Sequence, residues 1–243
     1  MGTNSYNYAC FTWYRIWTIT ASTINMKKFL HENSLSIVFL LLFLIAMAGQ
    51  TITGFYQYNE ERGDDSQPPV TVSKYLVSGH FIESTFENWE SEFLQMALFV
   101  VLTISLRQKG SSESKKLEGA EEVDREPDPS RDGAPWPVRK GGLILFIYGN
   151  SLTIVFVILF LLSLVLHLYG SFKDENTQHL LKGQPLEHLS DYLGHPRFWF
   201  ESFQNWQSEF LSVFAVVVFS IFFRQKGSPQ SKPVDAADSE TGE

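Results

Sequence analysis

The chain reads Phe-Glu-Asn-Trp-Glu-Ser-Glu-Phe-Leu at residues 86–94, and it reads Phe-Gln-Asn-Trp-Gln-Ser-Glu-Phe-Leu at residues 203–211. The two stretches are offset by 117 residues, the difference between positions 86 and 203. The same offset, without a gap, relates Arg-Gln-Lys-Gly-Ser at 107–111 to the same five residues at 224–228. Self-similarity at a fixed offset is the signature of a repeated structural unit. The sequence therefore predicts two copies of one unit, which act through a pair of equivalent surfaces.

Apolar segments alternate with acidic segments that contain proline and serine. They predict membrane spans at about residues 33–55, 81–106, 143–169 and 198–223. A helix needs roughly 20 residues to cross a hydrocarbon core of about 30 Å. The second and fourth segments end in apolar runs of only 14 residues, but aromatic residues before each run extend the apolar surface. The predicted fold is an all-α membrane protein with four transmembrane helices, arranged as two tandem helical hairpins.

The composition also predicts the boundaries of these units. Residues 1–25 lack the apolar run of a secretory signal, so we interpret them as a non-native or disordered extension before a start at Met26. Membrane repeat 1 is expected at 26–109 and membrane repeat 2 at 140–226. The linker at 110–139 and the tail at 227–243 are rich in polar residues, which favours flexibility.

The basic residues predict the orientation of the spans. Thirteen lysines and arginines between residues 26 and 243 fall on one side of the four-span arrangement, and five fall on the other. Because cytoplasmic loops carry the excess of positive charge, both termini and the central linker are expected in the cytoplasm. Each repeat then begins and ends on the same side. The two repeats would be parallel, related by a pseudo-two-fold axis along the membrane normal.

The composition argues against several classes of function. A net charge of −8 disfavours nucleic acid as a partner, because nucleic-acid binding needs a basic surface. Only Cys10 is present, and the six histidines lack the spacing of a metal-binding helix, so we expect no metal and no cofactor. The sequence contains no nucleophile elbow, phosphate-binding loop or dinucleotide fingerprint. We therefore expect no enzymatic activity and no catalytic residues.

A polar stripe is predicted at the point where the second helix of each repeat enters the bilayer. It includes Asn88 and Glu92 in the first copy, and Asn205 and Glu209 in the second. An ionisable group inside a membrane is costly and is expected to find a partner. The first helix of each copy places a polar residue at matching height, and the predicted polar cluster therefore comprises Asn88, Glu92, Asn205, Glu209, Gln50 and His167.

Two other interpretations of this stripe remain open. Trp89 and Trp206 have the position of an interfacial aromatic belt, and this favours an interpretation in which each glutamate lies among headgroups with access to water and holds the helix end in register. Alternatively, Glu92 and Glu209 line a path for protons or cations. Arg107 and Arg224 follow the apolar runs and are predicted to anchor the helix ends at the inner surface.

The doubled Asn-Trp-x-Ser-Glu-Phe-Leu motif and the doubled Arg-Gln-Lys-Gly-Ser-x-x-Ser-Lys motif (residues 107–115 and 224–232) resemble a bacterial family of uncharacterised four-span integral membrane proteins, classed as a domain of unknown function. The resemblance covers residues 26–234 and leaves residues 1–25 outside. It implies a multi-pass protein of the bacterial inner membrane. It brings no activity and no site residues.

Two functional hypotheses follow. The first is a non-catalytic scaffold or accessory protein, which contacts the lipid bilayer and either a second copy of itself or an unidentified membrane protein. The second is a small proton- or cation-conducting channel or transporter that uses Glu92 and Glu209. A water-accessible cavity that reaches both glutamates would favour the second hypothesis, whereas a closed bundle would favour the first.

Overall fold

The computed structural model describes residues 26–242, and the expectations for residues 1–25 lie outside this part of the chain. Within residues 26–242 the structure is helical and contains no strand. The α-helices are α1 Met26–Glu32, α2 Ser34–Asp64, α3 Val72–Tyr75, α4 Gly79–Ser105, α5 Trp136–Lys140, α6 Gly142–Gly149, α7 Ser151–Leu181, α8 Leu189–Tyr192 and α9 Pro196–Phe222. A 3-10 helix at Glu122–Asp124 lies in the linker. The all-α class predicted from the sequence is confirmed.

The chain divides into two compact units, and the division falls between Gln57 and Tyr58 in α2. In the first unit, residues 26–57 comprise α1 and most of α2, whose apolar side chains are largely exposed. Residues 58–242 form the second unit, which contains α3 to α9. The buried side chains Tyr75, Tyr192 and Phe198 belong to this second unit.

Among residues 26–242, three helices are long and apolar enough to cross a membrane: α2, α7 and α9. Their large apolar side chains are mostly exposed, as expected for surfaces that face lipid rather than a water-excluding core. The sequence predicted four such helices, and α4 does not meet this requirement. The helix α4 forms close to its predicted bounds, but Glu83, Glu87, Glu90 and Glu92 lie in its first half. Its apolar portion is therefore too short to meet the requirement for a span.

Glycines allow α4 to pack directly against the backbone of α7. A Cβ atom on Gly170 would lie 2.4 Å from the backbone nitrogen of Glu83, and one on Gly79 would lie 2.3 Å from the backbone nitrogen of Asp174. Both distances are shorter than any real Cβ contact, so only glycine fits at these two positions. Since residue numbers rise along α4 while they fall along α7, the two helices are antiparallel.

The helix α9 packs against α4 in a parallel sense. The Gln95 side-chain nitrogen donates to Ser212 Oγ at 2.9 Å and to the Glu209 carbonyl oxygen at 3.2 Å. Near the N-terminal ends, Arg197 on α9 reaches Glu83 on α4. The helix α4 thus contacts both α7 and α9, and residues on all three helices meet at the first half of α4.

The helices of the second half begin and end at the same 117-residue offset that relates the sequence motifs. The helices α7, α8 and α9 begin and end 117 residues after α2, α3 and α4, respectively. The turns after the long helices also recur in detail. The Asn59 amide pairs with both backbone groups of Val70, at 2.7 and 3.3 Å, and the Asn176 amide pairs in the same way with Glu187, at 2.8 and 3.3 Å. Equivalent residues thus form equivalent local structure.

The linker and the tail, both predicted to be flexible, contact one another. The Gly110 N–H donates to Thr241 Oγ1 at 2.8 Å, and the Gly242 N–H donates to the Ser111 carbonyl oxygen at 3.1 Å. The Lys232 ammonium group donates to the carbonyl oxygens of Ala237, Asp238 and Glu240. These contacts hold the tail near the cytoplasmic end predicted for α4.

Candidate functional site: a buried histidine and carboxylate network

A fully buried histidine lies where α4, α7 and α9 meet. The Nδ1 atom of His167 lies 2.8 Å from Glu90 Oε2, and both side chains have no exposed surface. Its Nε2 atom faces Glu201 Oε2 at 3.4 Å and Glu87 Oε2 at 4.0 Å. Each ring nitrogen therefore faces at least one carboxylate. Because these acids come from α4 and α9 while His167 comes from α7, the contacts join three helices.

Arg197 forms a second centre in the first turn of α9. Its Nε atom donates to Glu201 Oε1 at 2.8 Å, and its Nη1 atom donates to Glu175 Oε2 at 2.7 Å. The Nη2 atom donates to Glu83 Oε1 at 2.7 Å and to Asp174 Oδ2 at 3.2 Å. A planar guanidinium suits such a site because its N–H groups point in fixed, divergent directions. Glu201 connects the Arg197 and His167 centres.

Hydrogen bonds from neutral side chains orient the acids. Trp206 Nε1 donates to Glu90 Oε1 at 2.9 Å, and Ser171 Oγ donates to Glu201 Oε2 at 2.9 Å. Ser171 also pairs with the hydroxyl of Tyr192, whose ring is fully buried. Burial raises the pKa of Tyr192 to about 12, because the phenolate loses its hydration. The Phe198 ring covers the His167 ring at a centroid distance of 4.9 Å.

Three groups in this network have the composition of a metal-binding set. Single ligand atoms of Glu87, His167 and Glu201 all lie within 4.8 Å of one another. His167 is fully buried, whereas the Glu87 side chain is 23% exposed and opens the cluster towards the surface. Imidazole together with carboxylates suits first-row divalent ions. We name Glu87, His167 and Glu201 the His167 triad.

The structure places different carboxylates against His167 from the one that the sequence predicted. Glu209 was expected to meet His167, but it lies eight residues beyond Glu201, about 12 Å further along α9. Glu92 is exposed, and Glu209 is half-buried. In the described part of the chain, neither has a hydrogen bond or an ion pair with His167. Gln50 belongs to the other unit, and its pairing with Glu92 remains a prediction.

The remaining residues of the predicted stripe make local contacts. The Asn88 side chain donates to the Ser84 carbonyl oxygen at 2.9 Å, and the Asn205 side chain donates to that of Glu201 at 3.2 Å. These bonds stay within α4 and α9, respectively, and the Asn205 side chain also interacts with the Glu87 carboxyl group on α4.

The predicted interface anchors behave in two ways. Arg107 and Arg224 each donate to carbonyl oxygens in the preceding turn, at 3.1 Å to Ile104 and 3.0 Å to Ile221. This is the contact expected of a base at a helix C-terminus. Trp89 stacks edge-on against Phe86 at 5.1 Å. Trp206 packs in the same way against Phe203 at 5.4 Å, and it also donates its N–H to Glu90 in the network.

Residues that the two copies share gave no indication of the network acids and of its arginine: Glu83, Glu87, Glu90, Arg197 and Glu201. The network is built from positions at which the copies differ. At the 117-residue offset, His167 corresponds to Gln50, Glu87 to Gln204, and Glu90 to Gln207. Similarly, Arg197 corresponds to His80, and Glu201 to Ser84. Departures from the repeat were the signal that would have found them.

Comparison with protein families matches residues 26–243 to the family described as Domain of unknown function (DUF6766). The match covers more than half of the chain, so the chain belongs to this family. No curated protein and no solved structure matched the chain.

Proposed function

We propose that this family member is a multi-pass protein of the bacterial inner membrane with a non-catalytic scaffold or accessory role. Three membrane-length helices and the family membership support the coarse class. The role itself is inferred from the buried network, which braces three helices against one another. A second copy of the chain, or another membrane protein, would bind the exposed apolar surfaces that the bundle leaves outside.

The proposed topology consists of two tandem hairpins with the same orientation, with both termini and the linker in the cytoplasm. This arrangement requires α4, whose apolar portion alone is short for a span, to cross the membrane beside α7 and α9, which cover the buried acids Glu83 and Glu90 of its first half. Its antiparallel packing on α7 and parallel packing on α9 support such a crossing. The contact between Gln95 and Ser212 joins residues that are 117 positions apart, as a pseudo-two-fold axis along the membrane normal would produce.

The scaffold proposal rests on the ion pairs that Arg197 forms with four carboxylates. Glu83 comes from α4, Asp174 and Glu175 come from α7, and Glu201 comes from α9. Buried ion pairs contribute little net stability relative to apolar packing, but breaking one is costly. We infer that the network selects one arrangement of the three helices. A rigid end of the three-helix bundle is suited to binding another protein.

The geometry gives less support to the channel hypothesis. An apolar groove of about 450 Å³ lies between α4 and α9 and is lined by Gln95, Leu98, Leu102, Phe210 and Val217 among others. Neither Glu92 nor Glu209 lines this groove. Conduction through these glutamates would need an aqueous path that reaches both of them.

Flux measurements in liposomes test the proposal. The parent protein and the double variant Glu92→Gln, Glu209→Gln are reconstituted, and proton and monovalent-cation flux is compared with that of empty liposomes. We expect both proteins to match the empty liposomes. Flux by the parent that the double variant loses would replace the scaffold role with conduction through the two glutamates.

Subunit counting tests the partner. Native mass spectrometry of the parent protein released from lipid nanodiscs is expected to show a defined oligomer if a second copy is the partner. A monomer at all concentrations would exclude the homo-oligomer and leave another membrane protein as the partner.

A further inference from the structure

Both ring nitrogens of His167 face carboxylate oxygens. A neutral imidazole carries one N–H and one lone pair. Since Nδ1 faces Glu90 at 2.8 Å and Nε2 faces Glu201 at 3.4 Å, a neutral ring would set its lone pair against a carboxylate. Two acceptors that face each other in a buried site repel. A proton or a cation is therefore needed at one side of the ring: a second proton on the imidazole, a proton on a facing carboxyl group, or a metal ion between Nε2 and the acids.

Carboxyl groups also outnumber the cationic side chains around the ring. Six carboxylates surround Arg197 and His167: Glu83, Glu87, Glu90, Asp174, Glu175 and Glu201. Glu83, Glu90 and Asp174 are buried. His179 meets Glu175 at 3.3 Å, at the edge of this group. An excess of buried negative charge is unfavourable unless it is neutralised. A proton on His167 adds one positive charge, whereas a divalent ion adds two.

We propose that the His167 triad binds a first-row divalent transition-metal ion through His167 Nε2 and the carboxylates of Glu87 and Glu201. A tetrahedral Zn²⁺ ion with bonds of about 2.0–2.2 Å holds its donor atoms about 3.4 Å apart. The Nε2 atom lies 3.4 Å from Glu201 Oε2 and 4.0 Å from Glu87 Oε2. A small inward movement of the partly exposed Glu87 side chain completes the set.

The surroundings of the triad are those of a supported metal site. Metal-binding histidines commonly donate their second N–H to a carboxylate, which fixes the tautomer and the ring orientation. Glu90 occupies this position at Nδ1 and is itself held by Trp206. Arg197 and Ser171 hold Glu201 in the same way. Water supplies the remaining coordination positions through the opening at Glu87.

Metal titration of the parent protein is the first test. Untagged full-length protein in detergent is stripped with a chelator and titrated with Zn²⁺ near neutral pH by calorimetry, and Co²⁺ serves as a spectroscopic probe. We expect one ion per chain and the visible absorption of four- or five-coordinate Co²⁺. Absence of saturable binding by both ions would mean that the cluster holds only a proton, and the proposal would be overturned.

Variants that mimic the other copy locate the ion. His167→Gln and Glu87→Gln each introduce the residue found at the equivalent position, Gln50 or Gln204. We expect His167→Gln to abolish binding and Glu87→Gln to weaken it at least about 10-fold. Glu90→Gln removes the partner of Nδ1 and should weaken binding about 10- to 100-fold.

A matched control keeps the test specific. Glu92→Gln makes the same chemical change on the same helix at an exposed position outside the triad, and it should bind as the parent does. Equal affinity of the parent and Glu87→Gln would place the ion elsewhere and overturn the proposal. Glu87 is partly exposed, so its variant remains informative if His167→Gln fails to fold. The result is independent of the flux and subunit measurements.

Discussion

His167 on α7 and Glu90 on α4 form a fully buried pair, with 2.8 Å between Nδ1 and Oε2. Their positions in the repeat are occupied by glutamine in the other copy, at Gln50 and Gln207. The pair therefore exists in one half of the chain only. It connects α4 and α7, whose backbones are in contact at Gly79 and Gly170.

Loss of the Glu90 charge should destabilise the bundle. Glu90→Gln keeps the size of the side chain and an acceptor for Trp206, but it removes the carboxylate at His167. Breaking a buried charged pair costs about 3–5 kcal/mol. Thermal unfolding in detergent should show a lower midpoint. The control Glu92→Gln, at an exposed site, should change stability by less than about 0.5 kcal/mol. Equal midpoints for the two variants would contradict the pairing.

A methyl group at Gly170 should separate α4 from α7. In Gly170→Ala the new Cβ would lie 2.4 Å from the Glu83 backbone nitrogen, and the helices cannot approach as closely. Overpacking typically costs about 1–3 kcal/mol. Gly49→Ala is the matched control, because its Cβ would meet nothing within 4 Å and alanine favours a helix by about 1 kcal/mol. Unfolding midpoints should therefore move in opposite directions.

Arg197 should not be replaceable by lysine. Arg197→Lys keeps the positive charge, but a single ammonium group cannot reproduce the divergent contacts to Glu83, Glu175 and Glu201. We expect a loss of stability of about 1.5–3 kcal/mol, the range for hydrogen bonds to charged groups. Arg125→Lys provides the control, because the Arg125 pair with Glu122 is exposed and contributes at most about 1 kcal/mol. A tolerated Arg197→Lys would show that charge alone is needed.

Alkaline pH should destabilise the second unit through Tyr192. Its pKa is raised from 10.0 to about 12 because burial disfavours the phenolate. The folded state thus holds the phenolic proton more tightly than the unfolded state. The stability linked to this proton is fully present below pH 10 and is lost as the pH rises through about 12.

The difference in unfolding midpoint between the parent and Tyr192→Phe should therefore narrow across this alkaline range. Tyr56→Phe, at an exposed ring, controls for the loss of a hydroxyl group. A difference that is the same at all pH values would show that Tyr192 contributes through its contact with Ser171 alone.

The sequence predicted the local structure more closely than the site. Helix α4 begins at Gly79 and ends at Ser105, close to the expected 81–106, because apolar periodicity and the Arg-Gln-Lys-Gly end signal are local properties. The helices α2 and α7 extend beyond their expected ends, to Asp64 and Leu181. These extensions are rich in polar and charged side chains, so hydropathy did not detect them.

The pairing of residues across helices could not be predicted in the same way. Counting residues along each helix placed Glu209 and His167 at similar heights, but the structure has Glu201 at the level of His167, and Glu209 lies about 12 Å further along α9. The heights of residues on different helices depend on how the helices pack, and the glycine contact between α4 and α7 brings Glu83, Glu87 and Glu90 towards α7. The network residues also lie at positions where the two copies differ, so the residues that the copies share could not indicate them.

By itself, the sequence determined the helical class, the membrane-length apolar segments and the 117-residue recurrence of helices and turns, since these depend on neighbouring residues in the chain. Only the tertiary structure decided that His167 contacts Glu90, Glu87 and Glu201. The same holds for the ion pairs of Arg197 with four carboxylates. These groups lie far apart in sequence. Their meeting depends on the close approach of backbones at Gly79 and Gly170, which is a property of packed helices rather than of any one of them.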